Sequence, residues 1–311
     1  MRKRAGWLAA LAAACVSGQS ANASEGASSY YFPGAFGSFL VAVPPEPGFS
    51  VANQALIFGG NAQRAVLNGR QTLGLQAFAL YNFVAANYTF EQPILGARLQ
   101  VGAAVPFLSY ANMGVSLQTQ RFGAFSGGAS DINVGDALLN PFNLFWNFGD
   151  FNVKLSQFVV APIGHYDVNN VISVGRNYWA FDTQIGLTYF HKATGTEVSV
   201  LPGIMFNTTN PATDYHTGTE FHLDFMVNQF VMPSVAIGAQ GYWYKQIDGD
   251  SGSGAVLGPF MGESLGLGPA VLWVPESTKG KFVVVLKWLH DISNTNRLNG
   301  DWGQVTASWR F

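Results

Sequence analysis

Apolar and polar residues alternate with a period of two over long stretches of this chain. From Tyr178 to His191 one face reads Trp179, Phe181, Thr183, Ile185, Leu187 and Tyr189; the other reads Ala180, Asp182, Gln184, Gly186 and Thr188. Phe221, Leu223, Phe225 and Val227 alternate with His222, Asp224, Met226 and Asn228. At the carboxyl end Val305, Ala307, Trp309 and Phe311 alternate with Thr306, Ser308 and Arg310. This period belongs to strands with two unlike faces. A membrane-spanning barrel turns the apolar set to lipid and the polar set to its lumen. A soluble β-sandwich alternates as well, so other features must separate the two.

Composition and the amino terminus favour the membrane. Charged residues make up 11 % of the chain, against ~25 % in ordinary soluble domains. Arg2, Lys3 and Arg4 precede an apolar stretch from Gly6 to Val16, and Ala21-Asn22-Ala23 forms a small-residue cleavage site. Residues 1–23 therefore read as a signal peptide, with an apolar stretch too short to span ~30 Å of hydrocarbon. Cys15, the only cysteine, lies inside it. The chain that follows has no cysteine to form a disulfide. Cleavage leaves 13 Lys and Arg against 18 Asp and Glu, a negative balance that argues against nucleic acid as a partner. No later stretch offers ~18 uninterrupted apolar residues for a membrane helix, but a secreted chain can also cross as a closed barrel.

The pattern predicts an all-β, transmembrane antiparallel β-barrel over residues 49–311. Its strands lie near 49–59, 71–90, 94–109, 133–148, 150–163, 178–191, 195–208, 217–230, 234–247, 260–275, 280–291 and 302–311. The count is twelve, with fourteen as the alternative, and 71–90 is long for one regular strand. Short connections at 91–93, 149, 192–194, 231–233 and 276–279 alternate with long ones at 60–70, 110–133, 164–177, 209–216, 248–259 and 292–301. One-sided loop lengths are what an outer-membrane barrel shows, with its short turns in the periplasm. Tyr178, Trp179, Tyr189, Trp273, Trp288, Trp302 and Trp309 sit near strand ends, where aromatic girdles meet the interfaces. Trp309 and Phe311, on the last strand, also suit a signal for the barrel assembly machinery. Residues 24–48, broken by Pro33-Gly34, Pro44-Pro45 and Pro47-Gly48, form either a periplasmic tail or a plug folded into the lumen. In the plug reading Phe36, Phe39 and Phe49 contact solute.

Catalytic motifs are weak. Gly262-Glu263-Ser264-Leu265-Gly266 matches the nucleophile elbow but lacks the strand–turn–helix context. Gly249-Asp250-Ser251-Gly252 reads as a polar loop. His290 and Ser293 at a strand end suggest a lipid hydrolase, but no orienting group can be placed behind the His. The five histidines have no metal-ligand spacing, and no cofactor is called for. The stronger candidates are the polar residues expected to face the lumen: Arg98, Lys154, Asp182, Glu197, Glu220, His222, Asp224, Lys287 and Arg310. Such charges either form an internal network that stabilises the barrel or line a solute path.

A series of short stretches also carries a family resemblance. They are Glu25-Gly26 with Tyr31 and Pro33-Gly34; Gly195-Thr196-Glu197 with Gly203 and Asn207; Asn210, Thr213, Tyr215, Gly218 and Glu220-Phe221-His222; Gly241-Tyr242 with Gln246 and Asp248; Gly268-Pro269; and Asn296-Arg297 with Gly300. In this order the chain resembles the outer-membrane proteins associated with the meta-pathway of phenol degradation. It departs from them after Pro33-Gly34, where Ala35-Phe36-Gly37 stands in place of an expected aspartate. The resemblance implies passive uptake of small hydrophobic or aromatic compounds across a Gram-negative outer membrane. The implied partners are outer-membrane lipids and lipopolysaccharide, the assembly machinery and the solute. A barrel with a filled lumen and a purely structural role is the third reading.

Overall fold

The computed structural model describes residues 25, 29–67, 70–119, 123–170, 172–259 and 261–311. The expected signal peptide, 1–23, lies outside the described residues. The strands are β1 (Gly48–Leu67), β2 (Arg70–Thr89), β3 (Arg98–Thr119), β4 (Gly123–Asn133), β5 (Ala137–Phe148), β6 (Phe151–Ala161), β7 (Ala180–His191) and β8 (Thr196–Asn207). They continue as β9 (Thr209–Asn210), β10 (Tyr215–His216), β11 (Glu220–Met232), β12 (Val235–Gln246), β13 (Glu263–Trp273), β14 (Phe282–Thr295) and β15 (Asn299–Arg310). The long stretch near 71–90 is one continuous strand, with a register shift against β3 between Asn82 and Phe83.

Twelve of these strands close an antiparallel barrel. Each pairs with its sequence neighbour around the wall, except that β3 pairs with β5 and β8 with β11. The first and last strands seal it, from Ser50 opposite Arg310 to Asn61 opposite Asn299. Closure pairs every strand edge, which is what allows a sheet to sit in lipid. The extra strand, β4, pairs with β3 alone among the described residues, along Ser109 to Thr119. β9 and β10 form a small hairpin between β8 and β11.

Three expected loops are strand instead. β1 and β2 stay paired to Leu67 opposite Arg70, β3 and β4 to Thr119 opposite Gly123, and β14 runs on to Thr295. At 20, 20 and 22 residues, β1, β2 and β3 are about twice the 9–11 residues that span a bilayer.

The faces divide as the alternation requires. On β7, Phe181, Ile185 and Leu187 are exposed while Asp182, Gln184 and Thr188 are buried. On β13 and β14, Val271, Trp273, Leu286 and Trp288 are exposed. Exposure here means contact with lipid, because apolar surface on this scale is not left to water. Two expected girdle residues turn inward instead: Tyr178 is buried against Tyr30, and Trp302 packs on Phe58 and Phe32. Phe49 also departs from expectation. It lies on β1 in phase with exposed Ile57, is 45 % exposed and packs against Phe311, so it belongs to the outer wall and not to the lumen.

Candidate functional site

The lumen holds the segment that precedes β1. At one end the Glu25 carboxylate accepts from Asn210 Nδ2 at 3.2 Å and Thr213 Oγ1 at 3.3 Å, among the extracellular loops. At the other end Pro45 O accepts from Arg98 at 3.0 Å, where β3 begins. Proline and glycine along this stretch leave backbone carbonyls without helix or sheet partners, and the barrel wall satisfies them. Lys287 Nζ donates to Gly34 O at 2.8 Å and to Gly37 O at 2.5 Å. The Tyr31 hydroxyl donates to Asp224. Glu197 accepts the Leu40 N–H at 2.8 Å, and Thr188 Oγ1 accepts that of Ala42 at 3.1 Å.

Most of the polar residues expected in the lumen meet this segment or one another. His222 Nε2 donates to Asp182 at 3.0 Å, and Gln184 donates to the other Asp182 oxygen at 2.6 Å. The His222 ring stacks on Tyr31 with centroids 4.3 Å apart. Glu220 accepts from the Tyr244 hydroxyl, and Lys154 lies in the field of Asp182 and Asp224. Each buried charge thus has an opposite charge or donors beside it, as burial demands. Arg310 sits half-buried at the end of β15, away from this group. Of the plug candidates, Phe36 packs on Phe158 and His222, and Phe39 packs beside Ala236, Leu272 and Val285.

Most of the anchoring network lies on the β6–β8 and β11–β14 side of the lumen; the exceptions are Arg98 on β3 and Gln54 on β1, which donates to Ala35 O at 3.2 Å. The free space lies on the other side, against β1, β2, β3 and β5, where alanines stand among larger residues such as Leu56, Tyr81, Phe83 and Leu138. An inner cavity of about 230 Å³ is lined by Ala52, Ala85, Ala103 and Ala104 with Phe36, Phe83 and Phe158. An outer cavity of about 100 Å³ lies further along the same wall, lined by Ala77, Ala79, Ala111 and Phe58. Phe32, Tyr81, Val174 and Arg176 line both, so they form the partition. Phe32 packs on Tyr81 at 4.9 Å and on Phe83 at 5.8 Å. None of the nine polar candidates lines either cavity. Of the residues that do, sequence reasoning named Phe36 and missed the rest; the alanines on β2 and β3 were the available signal.

Asp136, also missed, ties three segments together above the inner cavity. It accepts from Gly164 N at 2.8 Å, Arg176 N at 2.7 Å and the Tyr30 hydroxyl at 2.6 Å. Gly164 and Gly175 are required there. A Cβ on Gly164 would lie 2.4 Å from the Gly135 carbonyl carbon, and one on Gly175 2.8 Å from His165 O. Outside the membrane, Asp250 accepts from Tyr215, Gln246 and Gly218 N. Burial pushes its carboxyl up to about 6, against those donors. Burial also raises Glu25, with Asn210, Thr213 and Arg176 opposing.

The motif residues of enzymes fall elsewhere. Ser264 stands on regular strand β13, with no turn into a helix. Among the described residues no hydrogen bond joins His290 to Ser293; His290 faces outward and meets Asp301 at 3.0 Å.

Comparison with known proteins places this architecture. The family model described as putative MetA-pathway of phenol degradation matches residues 59–307. No curated protein matches the chain. An outer membrane channel of Pseudomonas putida is similar in structure, with a TM-score of 0.68 at 12 % identity, over 90 % of this chain and 100 % of that one. The β domain of the Bordetella autotransporter BrkA is similar at 0.51 and 9 %, over 86 % and 100 %. At such identities the likeness shows the shared fold, that of an outer-membrane barrel.

Proposed function

The chain belongs to the family described as putative MetA-pathway of phenol degradation, and on that premise we propose that its two cavities are a passive route for small hydrophobic or aromatic compounds across the Gram-negative outer membrane. The observation that carries this reading is the division of the lumen. Most of the charges expected in the lumen are gathered on the wall that holds the amino-terminal segment, and the remaining space has a mainly apolar lining of alanine and aromatic rings, interrupted by polar groups such as Gln54, Asn87, Asp136, Asn140 and Arg176. A mainly apolar lining with a few polar groups suits a small apolar or aromatic solute. The similar Pseudomonas protein is itself an outer membrane channel.

Residues 29–47 act in this reading as a plug that narrows the route without filling it. Phe36 would contact solute, since it lines the inner cavity. The assembly signal at Trp309 and Phe311, both exposed on the outer wall, belongs to the same proposal. So do contacts with lipid and lipopolysaccharide. Deletion of residues 27–45 should raise toluene flux into proteoliposomes. Unchanged flux would refute the plug. Flux no greater than in protein-free liposomes, for both the deletion and the intact barrel, would refute the channel. The rival lipid hydrolase draws no support from His290, whose nearest partner is Asp301. Phospholipase activity lost in Ser293→Ala would revive it.

A further inference from the structure

The contacts of the amino-terminal segment follow one order along the lumen. Glu25 is held by Asn210 and Thr213 in the connection between β8 and β11, at the extracellular end. The Tyr30 hydroxyl lies 3.1 Å from Tyr178 O, just ahead of β7. Gly34 and Gly37 rest on Lys287, midway along β14. Leu40 and Ala42 reach Glu197 and Thr188, near the periplasmic ends of β8 and β7. Pro45 meets Arg98, the first residue of β3, and Gly48 then opens β1. The two ends of the segment are held differently. β1 pairs with β2 from Gly48 and with β15 from Ser50, so the periplasmic end is fixed in the wall. No residue from 29 to 47 belongs to a strand; hydrogen bonds from side chains and ring packing hold this stretch in place. Cleavage after Ala23 would make Glu25 the second residue of the mature chain, which leaves the outer end without a tether.

From this arrangement we propose that the segment is a strap threaded through the closed barrel, fixed at the periplasmic end and free at the cell surface, and that the route widens when the strap slides out toward the periplasm. The tether sets the direction. Outward movement would have to unzip β1 from both of its neighbours, along pairings that run from Gly48 to Leu67 on one side and from Ser50 to Asn61 on the other. Inward movement breaks only the strap's own contacts and leaves the wall intact. The wall is a closed sheet, so the strap cannot leave sideways. Among its contacts the two bonds from the Lys287 ammonium are charge-assisted and so the strongest hold. The inference rests on the plug reading for what this movement does to solute flux; the position of the free end is independent of that reading.

The mature chain has no cysteine, so a cysteine in a Gly/Ser linker of about ten residues, ~35 Å when extended, reports the free end alone when placed between Ala23 and Ser24. On intact cells a membrane-impermeant biotin maleimide, followed by streptavidin, should label this linker. Labelling that requires the outer membrane to be permeabilised, or the barrel to be unfolded, would overturn the inference. Streptavidin is too wide for a twelve-stranded lumen, so once bound it should lock the strap in place. Lys287→Met removes the central hold and should raise toluene flux in proteoliposomes. Streptavidin bound to the biotinylated linker before reconstitution should abolish that rise and return flux to the wild-type value. Flux that stays raised under the streptavidin cap, or that never rises in Lys287→Met, would overturn withdrawal toward the periplasm. Failure of the plug reading looks different: flux is unchanged on deletion of residues 27–45, while the linker on the full chain is still labelled on intact cells.

Discussion

Replacing Lys287 with methionine should release the amino-terminal segment from the barrel wall. Lys287 Nζ donates to two carbonyls of that segment, Gly34 O at 2.8 Å and Gly37 O at 2.5 Å. A hydrogen bond to a charged group contributes about 1.5–3 kcal/mol, so the gross loss is about 3–6 kcal/mol. Methionine fills the space and no longer buries a cation, which returns part of that. It also takes the counter-charge from Asp224, the acceptor of Tyr31, which weakens the next anchor. A net change of about 3 kcal/mol multiplies the open fraction of the segment by roughly 100, at about 1.4 kcal/mol per decade. Cys15 is the only cysteine, so a chain begun at residue 24 is a clean background for a Ser38→Cys reporter. The rate of labelling by a bulky maleimide dye should rise by about two orders of magnitude with Lys287→Met. A rise smaller than about threefold, under 1 kcal/mol, would refute the view that this lysine holds the segment in place.

Three further outcomes follow from named contacts. Phe32→Ala removes the ring shared by the two cavities and should raise naphthalene flux more than toluene flux in proteoliposomes; equal increases would show that Phe32 is not the partition. Gly203→Ala places a Cβ 2.3 Å from His222 Cε1 and 2.4 Å from its Nε2. The ring must then leave Asp182, and the urea midpoint of the refolded barrel should drop by an amount matching about 1–3 kcal/mol. Asp250 titrates near 6 when folded, against 3.8 for a free carboxyl. Its contribution to the loop cap is therefore fully present below 3.8 and is lost as pH rises through about 6. Hydrogen exchange in residues 247–259, corrected for intrinsic rates, should be slower at pH 5 than at pH 7.5, and Asp250→Asn should abolish the difference.

The sequence by itself determined the barrel. Alternation on β7, β11 and β15 reports a local property, the two faces of one strand, and Phe181 and Asp182 fall on the sides it assigns. Wherever lipid bounds one face, the strand is legible, and β2 was read at nearly its full length; the extensions of β1 beyond 59 and of β3 beyond 109 were read as loop. The residues that carry charge into the lumen were legible for the same reason. What they do was not, because that depends on which wall they share and on what lies against it. Lys287 and Gly34 are 253 positions apart, and no local pattern joins them. Only the closed fold brought the charged strands together on one side and left alanines facing the other. Only the course of the amino-terminal segment then decided which part of the lumen is filled and which is free. Phe49 shows the limit from the other direction. Expected to contact solute with the plug, it is the second residue of β1, and the strand's pleat alone turned it out to lipid.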